Sequence, residues 1–234
     1  MKDKTVGILQ VLASGLCFGL LGVLGKDAFA KGIRPSELLG LRFLLGSLLL
    51  SILAKLLFKK KSLKLSSRRE YVLCFLLGVF GYALFSTFYF EAIKGLSVSL
   101  AVLLLYTFPL WVTLLAFLFF KEKLTKKKLL AIPLCFLGLL LLIAGEVSVK
   151  QVSAIILGLS SAILYALYII LSDRYLKKAD ALISVIYIQF FAGLSLVLFS
   201  FSNLLRLEEV ISLSWLNILL LAFFCSALAM SFFQ

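Results

Sequence analysis

From Val152 to Ser172 the chain reads VSAIILGLSSAILYALYIILS, without a single charge. A helix of roughly 20 apolar residues, rising about 1.5 Å per residue, matches the roughly 30 Å hydrocarbon layer of a bilayer. The run does not alternate apolar and polar positions as a barrel strand would. A helix also satisfies its own backbone polar groups where lipid offers no partners. Runs of the same kind occupy about 5–25, 36–57, 71–93, 97–120, 128–145, 181–201 and 214–234, and only Arg42 lies well inside one of them. The expected fold is an all-α membrane protein, a polytopic helical bundle with eight transmembrane helices.

Composition agrees. With 63% hydrophobic and 15% charged residues, a soluble domain of 234 residues would expose far more apolar surface than water tolerates. The net charge of +13 is carried by loops. With a cytoplasmic N-terminus, Lys2, Lys4, the basic loop 55–70, the Lys residues of 121–128, Arg174, Lys177 and Lys178 all lie inside. Lys26, Lys31, Arg34, Lys94, Lys150 and Arg206 make a smaller outer set, so the positive-inside rule selects this orientation. Lys59, Lys60 and Lys61 then read as a topology signal near anionic headgroups rather than a nucleic-acid surface. The partner implied is the lipid bilayer, and the place a multi-pass position in the inner or plasma membrane.

The first span is longer than the apolar part of a signal peptide, and a retained helix is expected. Cys17, Cys74, Cys135 and Cys225 fall in four different spans, which indicates no disulfide framework. The chain has no His and no cluster of Cys or acids, so neither a metal site nor a cofactor is expected. It also lacks an acid pair within the bilayer and a Ser or Cys beside a base, so no catalytic residue is assigned.

The halves align best at a shift of 147. Ser14 then falls on Ser161, Gly15 on Ala162, Phe18 on Tyr165, Gly19 on Ala166, Lys31 on Lys178, Phe43 on Phe190 and Gly46 on Gly193. Residues 1–150 read as a first repeat of five helices and 151–234 as an incomplete second repeat of three. An odd number of spans makes the second copy enter from the opposite side, an inverted repeat.

Several stretches carry a family resemblance: Ala13 to Lys26, Arg34-Pro35-Ser36, Leu41-Arg42-Phe43, Ala92 to Ala101, Leu105-Tyr106-Thr107-Phe108-Pro109-Leu110, Phe120-Lys121-Glu122-Lys123-Leu124-Thr125, and Gly138 to Gly145. The chain resembles the EamA branch of the drug/metabolite transporter superfamily. The resemblance implies ten helices in two inverted five-helix repeats, of which eight are expected here. It also implies a secondary carrier that exports a small organic metabolite or amino acid by alternating access. The alternative is an incomplete or non-transporting subunit whose partner supplies helices nine and ten. A protein partner would be a second copy, as a homodimer, or a complementing membrane fragment; the other partner would be a small organic solute.

Nine residues are candidates for the substrate path. Arg42 lies about 10 Å along its helix from the outer end, where an Arg costs roughly 2.5–3.5 kcal/mol unless it faces the bundle. The family also carries an Arg here. Glu91 sits at a comparable depth and is the candidate partner for that charge. It is also the candidate group for proton coupling. Pro109 falls in the middle of helix four, where it would free the carbonyl of Leu105. Tyr106 and Thr107 offer hydroxyls beside it. Tyr82, Tyr89 and Tyr165 are rings for stacking on a solute or for anchoring at the lipid interface. Gln189 is the repeat partner of Arg42. Gly15, Gly19, Gly22 and Gly25 form a smooth face suited to close helix packing.

Overall fold

The computed structural model describes residues 20–57, 62–121, 152–200 and 204–228, together with Pro133, Leu134, Leu137, Gly138 and Leu141. All regular structure among them is helical, and six helices are long and apolar enough to cross a membrane. We number the helices α1 (20–30), α2 (Pro35–Leu57), α3 (Arg68–Gly95), α4 (Val98–Leu105 and Phe108–Phe120), α5 (Val152–Tyr175), α6 (Ala181–Ser200) and α7 (Leu204–Leu220, continuing as Leu221–Leu228). Five expected spans coincide with α2 to α6. Most of the expected span 5–25 and most of 128–145 lie outside the described residues.

Two boundaries differ from the sequence reading. The last helix begins at Leu204 rather than about 214, with non-helical backbone at Ser214 (φ −142°, ψ 22°). Its first turns, Leu204 to Leu213, are amphipathic: Val210 is fully buried while Glu208 and Glu209 are exposed. Charges among the apolar positions hide such a helix from a hydropathy reading. In α4 the expected mid-helix disruption at Pro109 takes the form of a break rather than a kink in a continuous helix. The helix stops in a turn at Tyr106 and Thr107, and Pro109 stands in the first turn of the segment that follows. A proline is tolerated there because the first N–H groups of a helix have no intrahelical acceptor anyway.

Local chemistry sets the helix starts. Pro35 opens α2, and the Glu37 carboxylate accepts the Arg34 backbone N–H at 2.9 Å. At α3 the Ser67 side chain accepts the Glu70 N–H, while Glu70 reaches back to the Ser66 N–H, a reciprocal capping arrangement. Asp180 accepts the Ile183 N–H at the start of α6.

The chain forms two compact units, residues 1–83 with 175–234 and residues 84–174. In the first, α2 and α6 run along one another with their backbones in contact. A methyl added at Gly193 would lie 2.7 Å from the Leu44 nitrogen and 3.0 Å from the Gly40 carbonyl oxygen, so only glycine permits this approach. Helix α2 also packs on Leu221–Leu228 of α7, and α6 packs on Leu77–Ala83 of α3. Both of those segments are π-helical, with wide turns of the kind frequent at functional sites.

Two ends of this unit are distinct. At one, Leu50, Ala54, Leu182 and Ile186 form an apolar cluster, and the Tyr187 hydroxyl donates to the Leu63 carbonyl. At the other, Arg206 of α7 reaches Gly32 and Glu37, and Asn217 reaches Asp27. The loops that share each end are those the charge distribution places on one side of the membrane.

In the second unit, Gly158 of α5 receives the Leu104 side chain of α4. The rings of Phe85, Phe108, Tyr165 and Tyr168 cluster there, with centroids of Phe85 and Tyr165 4.6 Å apart and those of Phe108 and Tyr165 4.9 Å apart. Large apolar side chains such as Leu56, Phe119, Leu198 and Phe199 stay exposed, as lipid-facing positions should.

Candidate functional site

Arg42, Tyr82 and Gln189 come together in the core of the first unit. One turn of α2 carries Arg42, Phe43 and Gly46 toward the interior, and all three are buried. The Arg42 guanidinium lies 5.1 Å from the centre of the Phe43 ring, and that ring tilts against Tyr82 at 4.8 Å. The Arg42 Nε donates to Ser226 Oγ at 3.2 Å. The π-helical segments of α3 and α7 supply Tyr82 and Ser226 respectively.

Gly46 lets Ser226 and Gln189 converge. A methyl there would stand 2.5 Å from Ser226 Cβ, 2.9 Å from Gln189 Oε1 and 3.0 Å from Ser226 Oγ. Gln189 is completely buried, and neither its amide oxygen nor its amide nitrogen has a hydrogen-bond partner among the described residues. A buried amide left this way costs about 1–3 kcal/mol. Groups of this kind mark sites where something else is bound or where the structure changes.

Other candidates lie in the second unit. Tyr89 and Thr107 are buried, and Glu91 and Tyr165 are half-buried. The Thr107 hydroxyl donates to the Leu104 carbonyl at 2.7 Å and accepts from the Trp111 indole N–H at 3.2 Å, so it helps close the break in α4. Tyr165 stands within the aromatic cluster. Tyr106 is 63% exposed, and Pro109 is exposed as well.

Sequence reading passed over the ion-pair network at the α2 start. Glu37 is 1% exposed and accepts from Arg206 through both oxygens, Nε to Oε1 at 2.9 Å and a terminal nitrogen to Oε2 at 3.0 Å. Arg206 also donates to the Gly32 carbonyl and to Glu209. Such bidentate pairing is the strongest geometry available to an Arg and a carboxylate. Nearby, the Asn217 amide donates to Asp27 at 2.7 Å and to the Leu24 carbonyl at 3.3 Å. That bond, with Lys31 second, holds the Asp27 carboxyl below its ordinary range. Glu37 and Arg206 stand at the ends of apolar runs, where charges are commonplace. Their pairing across 169 residues left no local signal.

Helices long enough to span lipid, together with a charged and polar node buried between them, define a multi-pass helical membrane protein. The model of the EamA-like transporter family matches residues 5–144, and the chain belongs to that family. It is similar to three uncharacterized transporters of Bacillus subtilis (strain 168). YdfC is 31% identical over 182 residues, covering 76% of this chain and 57% of the relative. YyaM is 28% identical over 201 residues, covering 83% and 65%. YxxF is 28% identical over 171 residues, covering 70% and 53%. The chain thus spans between about half and two thirds of the length of these relatives. A protein of known crystal structure superposes with a TM-score of 0.63 over 97% of this chain and 77% of its own, at 18% identity, a likeness of fold alone.

Proposed function

We propose that the chain forms the substrate-translocating core of a secondary carrier that moves a small organic metabolite or amino acid outward by alternating access. The observation that carries this reading is the pairing of helices in the first unit. Helix α2 packs on the π-helical segment of α7, and α6 packs on that of α3. The shift of 147 that relates Arg42 to Gln189 also carries 77–83 onto 224–230, overlapping the second π segment. Contacts that recur under one shift are what two inverted repeats, residues 1–150 and 151–234, would produce, and such repeats rock about the site they enclose.

Within this reading, Arg42, Tyr82 and Gln189 form the polar centre of the path, and Tyr89, Glu91, Tyr106, Thr107, Pro109 and Tyr165 are its remaining candidates. The pairing of Glu91 with Arg42 that the sequence suggests is open to a direct test by charge exchange. Exchanging the two charges should restore more activity than either single substitution leaves, and a double exchange no better than the singles removes the pairing.

A second reading rests on the greater length of the curated relatives. In it, the transporting unit requires two further helices from a partner or a second copy. A solute-efflux screen in proteoliposomes, with this chain and with a version extended to ten spans, separates the two. Saturable flux by the chain alone supports the first, and flux confined to the extended form supports the second. Absence of flux from both contradicts the carrier reading.

A further inference from the structure

We propose that the first part of α7, from Leu204 to Leu213, is a strap that swings about Ser214, held down by the pair of Arg206 with Glu37 and released when that pair parts. The hinge stands on contacts within the first unit; calling the strap a gate on a solute path rests on the carrier reading.

The two parts of α7 are held unequally. Beyond Ser214, Ile218, Leu221, Ala222 and Cys225 are buried, and the Asn217 amide ties the segment to α1 through Asp27 at 2.7 Å and the Leu24 carbonyl at 3.3 Å. Among the described side chains from Arg206 to Leu213, Val210 alone is buried. The tertiary bonds described for this part are polar. Arg206 donates to Glu37 through two nitrogens, at 2.9 and 3.0 Å, and to the Gly32 carbonyl at 3.1 Å. A segment with few buried apolar contacts opens at a lower free energy than the core to which it is attached.

The junction between the parts is already irregular. Ser214 leaves helical geometry (φ −142°, ψ 22°), and its hydroxyl is buried with no hydrogen-bond partner among the described residues. Two residues earlier, the Ser212 hydroxyl donates to the Glu209 carbonyl at 2.9 Å, a back-bond of the kind that bends helices. A change of dihedral angles confined to such a junction swings one part and leaves the other in place.

Both members of the latch keep a partner when they separate. Glu37 retains the Arg34 backbone N–H at 2.9 Å, in the first turn of α2, where the helix dipole favours a carboxylate. Arg206 carries Glu209 with it, three residues further along the strap and 2.9 Å away. Lifting the strap admits water to Glu37, so the open state leaves neither charge buried and unpaired. Removing the Arg206 charge does the opposite to the closed state, where Glu37 is 1% exposed, and so drives the strap open.

The test is maleimide labelling of the purified full chain in detergent, with Val210→Cys introduced and the modified positions identified by peptide mass spectrometry. The native Cys74 and Cys225 are fully buried and serve as internal references. Arg206→Gln and Glu37→Gln should each raise labelling at position 210 at least about tenfold relative to Cys225. Lys94→Gln, in the second unit, should leave that ratio unchanged. Amide hydrogen exchange on chains that keep Val210 gives a second reading without a new cysteine: Arg206→Gln should speed exchange over 206–213 and not beyond Ser214. The proposal is overturned if labelling at position 210 and at Cys225 rises together, if neither substitution raises it, or if the faster exchange extends into 215–225. Local opening without flux in proteoliposomes contradicts the carrier reading and leaves the hinge standing. Flux together with an unchanged position 210 does the reverse.

Discussion

At the scale of single residues, the first unit is tied at one end by the pair Glu37 and Arg206. Glu37 is buried while the Arg206 side chain is 29% exposed, so the pair lies between the fully buried and the surface cases. Arg206→Ala should lower stability by about 1–3 kcal/mol, because it leaves a buried carboxylate without its cation. Glu37→Gln in the same background should recover most of that loss, and equal destabilisation of the single and double variants in detergent unfolding would contradict the pairing. Asp27 gives a pH dependence of definite sign. Its folded pKa lies below the ordinary 3.8, so the stability it contributes is present above that value and is lost as pH falls through the lower, folded one. Asn217→Ala should shift this loss toward higher pH, as read by acid titration of the Asp27 carboxyl. Arg42 and Gln189 were legible in the sequence because a polar residue within an apolar run must find a purpose. Ser226 was not, since a lone serine in such a run is unremarkable until Arg42 is seen beside it.

At the scale of helices, five spans were legible because length and apolarity are what lipid selects, and α2 to α6 follow those runs closely. Irregularities within the helices were not legible in hydropathy. The π-helical turns at Leu77–Ala83 and Leu221–Leu228, the bend at Ser214 and the break at Tyr106 and Thr107 depend on packing and on individual hydrogen bonds. The position of Pro109 yields a sharp expectation. Standing in the first turn of Phe108–Phe120, it removes no intrahelical bond, so Pro109→Ala should change stability by less than about 1 kcal/mol. Leu114→Pro, in the interior of the same segment, should cost about 3 kcal/mol or more. Comparable effects of the two substitutions on thermal unfolding would show that α4 runs unbroken through Pro109.

At the scale of the molecule, the described loops of the first unit sort to two ends, and the sorting agrees with the charge pattern of the sequence. Gly32, Glu37 and Arg206 meet at one end, and Leu63 and Tyr187 at the other. Consecutive spanning helices require this arrangement, because each crossing carries the chain to the opposite end. The family could be read from residues 5–144, whose motifs lie in contiguous sequence. The packing of α6 on α3 and of α2 on α7 was not legible there, because it joins segments far apart in sequence. The most direct measurement is cysteine accessibility in intact cells, using a variant freed of Cys17, Cys74, Cys135 and Cys225. Single cysteines at Lys31 and Glu208 should react with an impermeant maleimide from outside, while those at Lys64 and Lys178 should react only after the membrane is opened. Labelling of Lys64 from outside together with Lys31 would contradict the account.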